Sequence, residues 1–263
     1  MGIFDGYLLL SDIDGTFENK NFKCPKVNVD AIEYFKAQGG KFAFASGRMS
    51  DYLSKRGFDA FCNAPCCLCN GSFVYDTDTN EILYQKTVPH TISELAEHII
   101  PYIDNNIEKF IAAVGTTMDY HEPIDPYNVP CDVKDMYPSK QITVFWDAND
   151  ATAYENALKA DPFFDDCFVC RSWNVGVEVL NKVATKGDAL KFIKEYCGCH
   201  TAVAIGDYGN DFTMLEAADI AVAVECKYDG LKEIADIVTC KCTDGAVADL
   251  IYKLEEKIKK DLD

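Results

Sequence analysis

Long apolar runs are missing from this chain of 263 residues. The run that opens it, Tyr7 to Leu10, stops short of Asp12 and Asp14, too brief for a membrane span or for the apolar stretch of a secretion signal. Gly6 stands where N-myristoylation needs serine or threonine. A soluble, cytoplasmic protein with no membrane partner is therefore expected. Positive charge is also scarce, with 25 basic against 43 acidic residues, a net charge of −18 and a pI near 4.5. Such a field opposes a phosphate-rich polymer at long range, so no nucleic acid partner is expected. A small phosphate ester can still bind where a metal and a few local cations override that field. Internal repeats, low-complexity tracts and long flexible linkers are absent too, and no obligatory protein partner is evident.

Apolar side chains make up 48% of the chain, enough for one large core or a core with a smaller satellite. Thirteen cysteines, an odd number, fall partly in tight groups such as Cys66, Cys67 and Cys69. Disulfide frameworks belong to short chains without a core, so a reducing compartment is the better reading. The Cys66 to Cys69 spacing lies inside an apolar run, where buried packing is favoured over zinc or redox chemistry.

Strand and helix signals alternate at both ends of the chain. Strands are expected at Tyr7 to Leu10, Lys41 to Ala45, Cys66 to Cys69, Thr201 to Ile205, Ile220 to Val224 and Ile237 to Val238. Helices are expected from Asn28 or Asp30 to Gly39, from Lys186 to Cys197, from Asn210 or Asp211 through Leu215, and from Ala246 to Lys260. This alternation implies parallel strands joined by crossover helices. The texture changes from about Leu83 to Leu180, where four prolines break up the middle. There, Thr91 and Glu94 form a capping box, and Ile142 to Trp146 and Val175 to Val179 read as strands. The expected architecture is an α/β parallel-sheet core from residues 1–83 and 181–263, carrying an inserted α+β unit over residues 84–180.

Ligands of open parallel sheets gather beyond the carboxyl ends of the strands. Here those ends carry Asp12 and Asp14, Ser46, Asn70, and Asp207 with Asp211. Facing carboxylates without a counter-charge repel, so a hard divalent cation is the natural resident, and magnesium suits it because it shares its sphere with water and phosphate. Alone, Asp12-Ile13-Asp14-Gly15-Thr16 reads equally as a turn in which the aspartates cap and the glycine relieves strain. That reading weakens because Asp12 ends a buried strand, where an unpaired charge is costly.

Together, Asp12-Ile13-Asp14-Gly15-Thr16, Ser46-Gly47-Arg48, Asn70-Gly71, Lys186-Gly187 and Gly206-Asp207-Tyr208-Gly209-Asn210-Asp211 resemble the ordered motifs of the haloacid dehalogenase superfamily. More narrowly, the chain resembles its Cof-type phosphatases (subfamily IIB), with a Rossmann-like core and a C2B-type cap inserted between the second and third motifs. The resemblance implies a phosphatase in which Asp12 forms an aspartyl phosphate and Asp14 acts as general acid and base. It implies Mg2+ held by Asp12, Asp207 and the Asp14 backbone carbonyl, with Asp211 a ligand or just behind one. Ser46, Gly47, Arg48, Asn70, Lys186 and Asn210 would hold the phosphate or substrate. Two positions depart from the pattern: Phe17 where leucine is frequent, and Leu180-Asn181-Lys182 in place of a proline-containing turn.

A small-molecule phosphate ester, a sugar phosphate first among them, is the expected ligand. A phosphotransferase or mutase using the same aspartate, and a non-catalytic metabolite-binding module, are the alternatives. In the insert, Tyr120, His121, Trp146, Arg171 and Trp173 are candidate contacts, though such residues are more often packing or surface positions, and Glu178, just before the return to the core, is a candidate to orient a substrate hydroxyl.

Overall fold

The computed structural model describes residues 2–19, 21, 23–103, 106–114, 123–226 and 228–262. The first part of the chain forms β1 (Tyr7–Ser11), α1 (Lys26–Ala37), β2 (Lys41–Phe44), α2 (Ser50–Arg56), β3 (Cys66–Leu68), β4 (Phe73–Asp76) and β5 (Glu81–Gln85). The middle supplies α3 (Ile92–Ile103), β6 (Ile107–Ala113), β7 (Lys140–Phe145), α4 (Ala148–Ala160), β8 (Cys167–Trp173) and β9 (Gly176–Asn181). The last part forms α5 (Lys186–Tyr196), β10 (Thr201–Gly206), α6 (Phe212–Ala217), β11 (Ile220–Val224), β12 (Ile237–Thr239) and α7 (Ala246–Leu262). Among the described residues, no helix is long and apolar enough to cross a membrane.

Strands β12-β11-β10-β1-β2 make a five-stranded sheet, parallel throughout. Leu8, Leu9 and Leu10 are wholly buried, as befits a strand with helices on both faces. Burying each such side chain contributes about 1.5–3 kcal/mol. Ser11 stands in register with Phe44 on one side and Ile205 on the other, so three strands end level. A second sheet, β6-β7-β9-β8, is antiparallel and encloses its own buried cluster, which includes Ile99, Phe110, Phe145 and Tyr154. The sequence expectation of a parallel α/β core carrying an α+β addition thus holds.

Three local expectations need correction. Helix α1 begins at Lys26, behind Pro25, rather than at Asn28 or Asp30. Asn28 does not cap it: its amide donates to the Phe17 carbonyl at 3.2 Å and accepts from the Ala248 N–H at 3.0 Å, tying α1 to α7. Strand β3 ends at Leu68, and Cys69–Gly71 forms a tight turn with Asn70 in the left-handed region (φ 55°), which asparagine tolerates. Strand β3 meets the parallel sheet through an Ala45–Cys67 bridge and pairs antiparallel with β4. Phe17 packs edge-on against Phe44 and Phe58, with ring centroids 4.9 and 5.2 Å away, a pocket shaped for an aromatic ring. Beside it, the wholly buried Glu18 accepts hydrogen bonds from Tyr52 and, at 2.6 Å, from Arg56, which anchors the loop after β1 to α2.

Candidate active site

The level strand ends set the site. Asp12 follows β1, Ser46 and Gly47 follow β2, and Asp207 follows β10. Asn70 joins them because its N–H donates to the Ser46 carbonyl at 2.9 Å. Lys186 arrives from another direction, as the first residue of α5. Thr185 caps that helix through a reciprocal pair with Asp188, fixing where the lysine starts. A side chain at Gly187 would meet the Thr213 carbonyl at 2.2 Å, so α5 and α6 approach closely enough only with glycine there.

Lys186 is buried, and its Nζ donates at 2.6 Å to both Asp12 Oδ1 and Asp211 Oδ1. Burial works against its charge, yet the two carboxylates overrule it and hold the ammonium above the ordinary lysine value. One cation does not balance the acids around it. Burial pushes the Asp12 carboxyl well up; Lys186 opposes that shift, and Asp211, Asp207 and Asp14 add to it. Burial and then Asp211 push Asp207 up to about 7, despite a 3.1 Å hydrogen bond from Thr16 Oγ1 and the nearby Lys186.

Carboxylate oxygens of Asp12, Asp207 and Asp211 lie within 4.8 Å of one another, a donor set that fits a hard divalent cation. Both oxygens of Asp211 are already engaged, Oδ1 by Lys186 and Oδ2 by the N–H groups of Asp207 and Tyr208 at 3.0 and 3.2 Å. Asp211 is wholly buried and does not line the cavity that Asp12 and Asp207 line. A cation at this site would therefore meet Asp12 and Asp207, while Asp211 holds Lys186 and the Asp207 loop in place.

Gly15 has φ 101°, and a Cβ there would stand 2.3 Å from Asp207 Oδ2. Gly15→Ala is expected to displace Asp207. It should cut turnover about 100-fold, as a 1 Å misplacement does, and add about 1–3 kcal/mol of backbone strain. Steady-state kinetics and a melting curve read both; turnover like wild type would show that the Asp207 position is not critical.

A cavity of about 390 Å³ opens above these residues. Its floor includes Asp12, Asp14, Asp207 and Asn210, with Gly47 and Arg48 at the side. Its roof comes from the antiparallel sheet: Ile111, Ala113, Ile142 and Trp173 present apolar surface, and Lys140, Ser172 and Glu178 are polar. Polar bonds join roof to floor. Lys140 Nζ donates to the Gly47 carbonyl at 2.7 Å and lies 3.5 Å from Glu178. The Asn70 amide donates to Glu178 at 2.9 Å and to Ser172 at 3.2 Å, and accepts from Asn210 at 3.0 Å.

The structure brings together every core residue singled out in the sequence, with some partners unforeseen. Arg48 grips Asp14 through two bonds of 2.9 and 2.8 Å. Ser46 is buried, and its Oγ accepts from the Arg48 N–H at 3.1 Å. Of the insert candidates, Trp173 and Glu178 line the cavity. Trp146 is exposed, and Arg171 bonds Thr152 away from the cavity wall. Tyr120 and His121 lie outside the described residues. Sequence reasoning missed Lys140, Ser172 and the Thr16 bond to Asp207. A charge at the first position of a strand such as Lys140 carries no local sign that it will be buried.

The haloacid dehalogenase-like hydrolase family matches residues 9–251. The chain belongs to that family. A Haemophilus influenzae protein named "Putative phosphatase" is 27% identical to this hydrolase over 259 residues, covering 95% of this chain and 97% of its own. The pyridoxal phosphate phosphatase YbhA of Escherichia coli is 24% identical over 262 residues, covering 92% and 96%. Among solved structures, a HAD subclass IIB sugar phosphatase shares the fold with a TM-score of 0.77 at 18% identity, over 94% of this chain and 98% of the other. The family resemblance read from the motifs therefore holds for this hydrolase across nearly its whole length.

Proposed function

We propose that this hydrolase is a cytoplasmic, magnesium-dependent phosphatase of small phosphorylated metabolites, sugar phosphates foremost, with Asp12 as nucleophile. Residues 1–83 and 181–263 act as its catalytic core and residues 84–180 as its cap. The observation that carries this reading is Asp12 itself: a buried carboxylate on a cavity floor, with one oxygen bonded to Lys186 and the other left to attack. Names borne by relatives support phosphate esters as substrates, with a pyridoxal phosphate phosphatase and a sugar phosphatase among them.

Asp12 attacks phosphorus in line, forming the acyl phosphate as the ester oxygen departs. Asp14 gives that oxygen its proton, then takes one from the water that attacks the acyl phosphate, releasing inorganic phosphate and restoring Asp12. Lys186 and the Gly47 N–H face the charge spread over the transferring oxygens. Arg48 holds both Asp14 oxygens in this structure, so that grip has to open on the substrate phosphate before the Asp14 carboxyl can carry its proton. Asp12 and Asp207 would hold magnesium, which neutralises phosphoryl charge when bound.

The test is a panel of sugar phosphates, polyol phosphates, nucleotides and pyridoxal phosphate, assayed for free phosphate. Turnover is expected to vanish on chelation with EDTA and to return with added magnesium. Turnover indifferent to chelation would overturn the metal dependence, and isomerised product without phosphate release would overturn hydrolysis.

A further inference from the structure

At the other end of β8 from the cavity, three side chains of zinc-ligand chemistry converge. His90 lies between β5 and α3, and Asp166 and Cys167 stand at the start of β8. His90 Nε2 is 2.9 Å from Asp166 Oδ1, and Cys167 Sγ is 3.6 Å from the same oxygen. One ligand atom from each residue lies within 4.8 Å of the other two. Ser172 at the cavity is five residue steps along the strand from Cys167, roughly 17 Å at the usual rise, so the phosphate chemistry has no use for this group. A surface ion pair accounts for His90 and Asp166 but not for a buried thiol on the same carboxylate oxygen.

Tetrahedral zinc, with bonds of about 2.0 Å to nitrogen and oxygen and about 2.3 Å to sulfur, sets its ligands roughly 3.3–3.5 Å apart. The observed separations of 2.9 and 3.6 Å bracket that spacing, so small side-chain adjustments suffice. The His90 ring is already held in orientation, stacked on Phe163 with centroids 4.0 Å apart. Asp166 is exposed and leaves a fourth position open to water. Thiolate and imidazole favour zinc over magnesium, so this group and the Asp12–Asp207 pair would select different metals.

We infer that His90, Asp166 and Cys167 form a second metal site, for zinc or a similar transition metal, independent of the cavity. Binding forms a sulfur–metal bond in place of the Cys167 S–H bond, and the proton passes to buffer. The site sits where the chain enters and leaves the antiparallel sheet. Asn181 Nδ2 donates to the Thr87 carbonyl at 2.8 Å, and the Lys182 N–H donates to the Asp166 carbonyl at 3.1 Å. A metal there clips these passages together.

The test uses the full chain saturated with magnesium and titrated with cobalt(II). One equivalent is expected to bind with thiolate-to-cobalt charge-transfer absorption, which zinc displaces. The absorption should be lost in Cys167→Ser and in His90→Ala, while both variants keep wild-type turnover of p-nitrophenyl phosphate. Zinc at a hundredfold excess over its Kd should raise the wild-type Tm by about 5 °C and leave the variants unmoved. No charge-transfer band in wild type overturns the inference. So does a band that survives Cys167→Ser, which would move the thiolate to a pair such as Cys62 and Cys66. If Cys167→Ser does not fold, His90→Gln gives the same reading with the thiol intact.

Discussion

Asp12→Asn is expected to reduce turnover of any phosphate ester by about 10^5- to 10^6-fold, the scale on which losing a covalent nucleophile acts. The fold should survive. Asparagine has the same shape, Lys186 keeps its 2.6 Å bond to Asp211, and one of the crowded carboxylates loses its charge. Burial and the neighbouring acids already disfavour a charged Asp12, so the metal-free variant should melt at or above the wild-type temperature. Acid quenching with labelled substrate should trap a phosphoenzyme in the wild type and none in the variant. A residual rate within tenfold of wild type, with label still bound to protein, would remove Asp12 from the nucleophile's role.

Lys186→Met should be the most destabilising change in the site. It leaves Asp12, Asp207 and Asp211 sharing a buried space without their ammonium. Breaking a buried ion pair by removing one partner costs about 3–5 kcal/mol, a fall in Tm on the order of 10 °C for a chain of this size. Turnover should drop about 10^2- to 10^3-fold through lost stabilisation of phosphoryl charge. Two further measurements locate the cause. Magnesium should raise the variant's Tm more than the wild type's, and Asp211→Asn in the Lys186→Met background should restore part of the loss. A melting point unchanged by Lys186→Met would mean that the carboxylates do not depend on it.

The parallel sheet was readable because its rules are local, whereas α2, β4 and β5 were not expected. A run such as Leu8 to Leu10 ending at Asp12, or Thr201 to Ile205 ending at Asp207, announces both a buried strand and what stands at its tip. What stayed hidden depends on distant partners. Asn28 has the chemistry of a cap, yet its amide is spent on Phe17 and Ala248, more than two hundred residues away in the second case. Strands β6 and β8 and helix α4 were not legible, because the insert mixes buried and exposed positions without a clean period. Lys140 is the plainest case. Its burial follows from the carbonyl of Gly47, which the chain brings to it from another sheet. The pairing of Arg48 with Asp14 has the same origin, since a basic residue beside a phosphate motif gives no sign that it will bond a carboxylate instead.

The level endings of β1, β2 and β10 bear on how much the chain can change. Each residue added to or removed from one of these strands would shift the group at its tip by about 3.3 Å relative to its neighbours, more than a hydrogen bond or a metal ligand can follow. Insertions and deletions are therefore confined to the opposite edge of the sheet, to the loops there and to the antiparallel unit above the cavity. Within a strand, substitution is tolerated but a change of length is not, and the rim can acquire new leaving groups only through what is built over it.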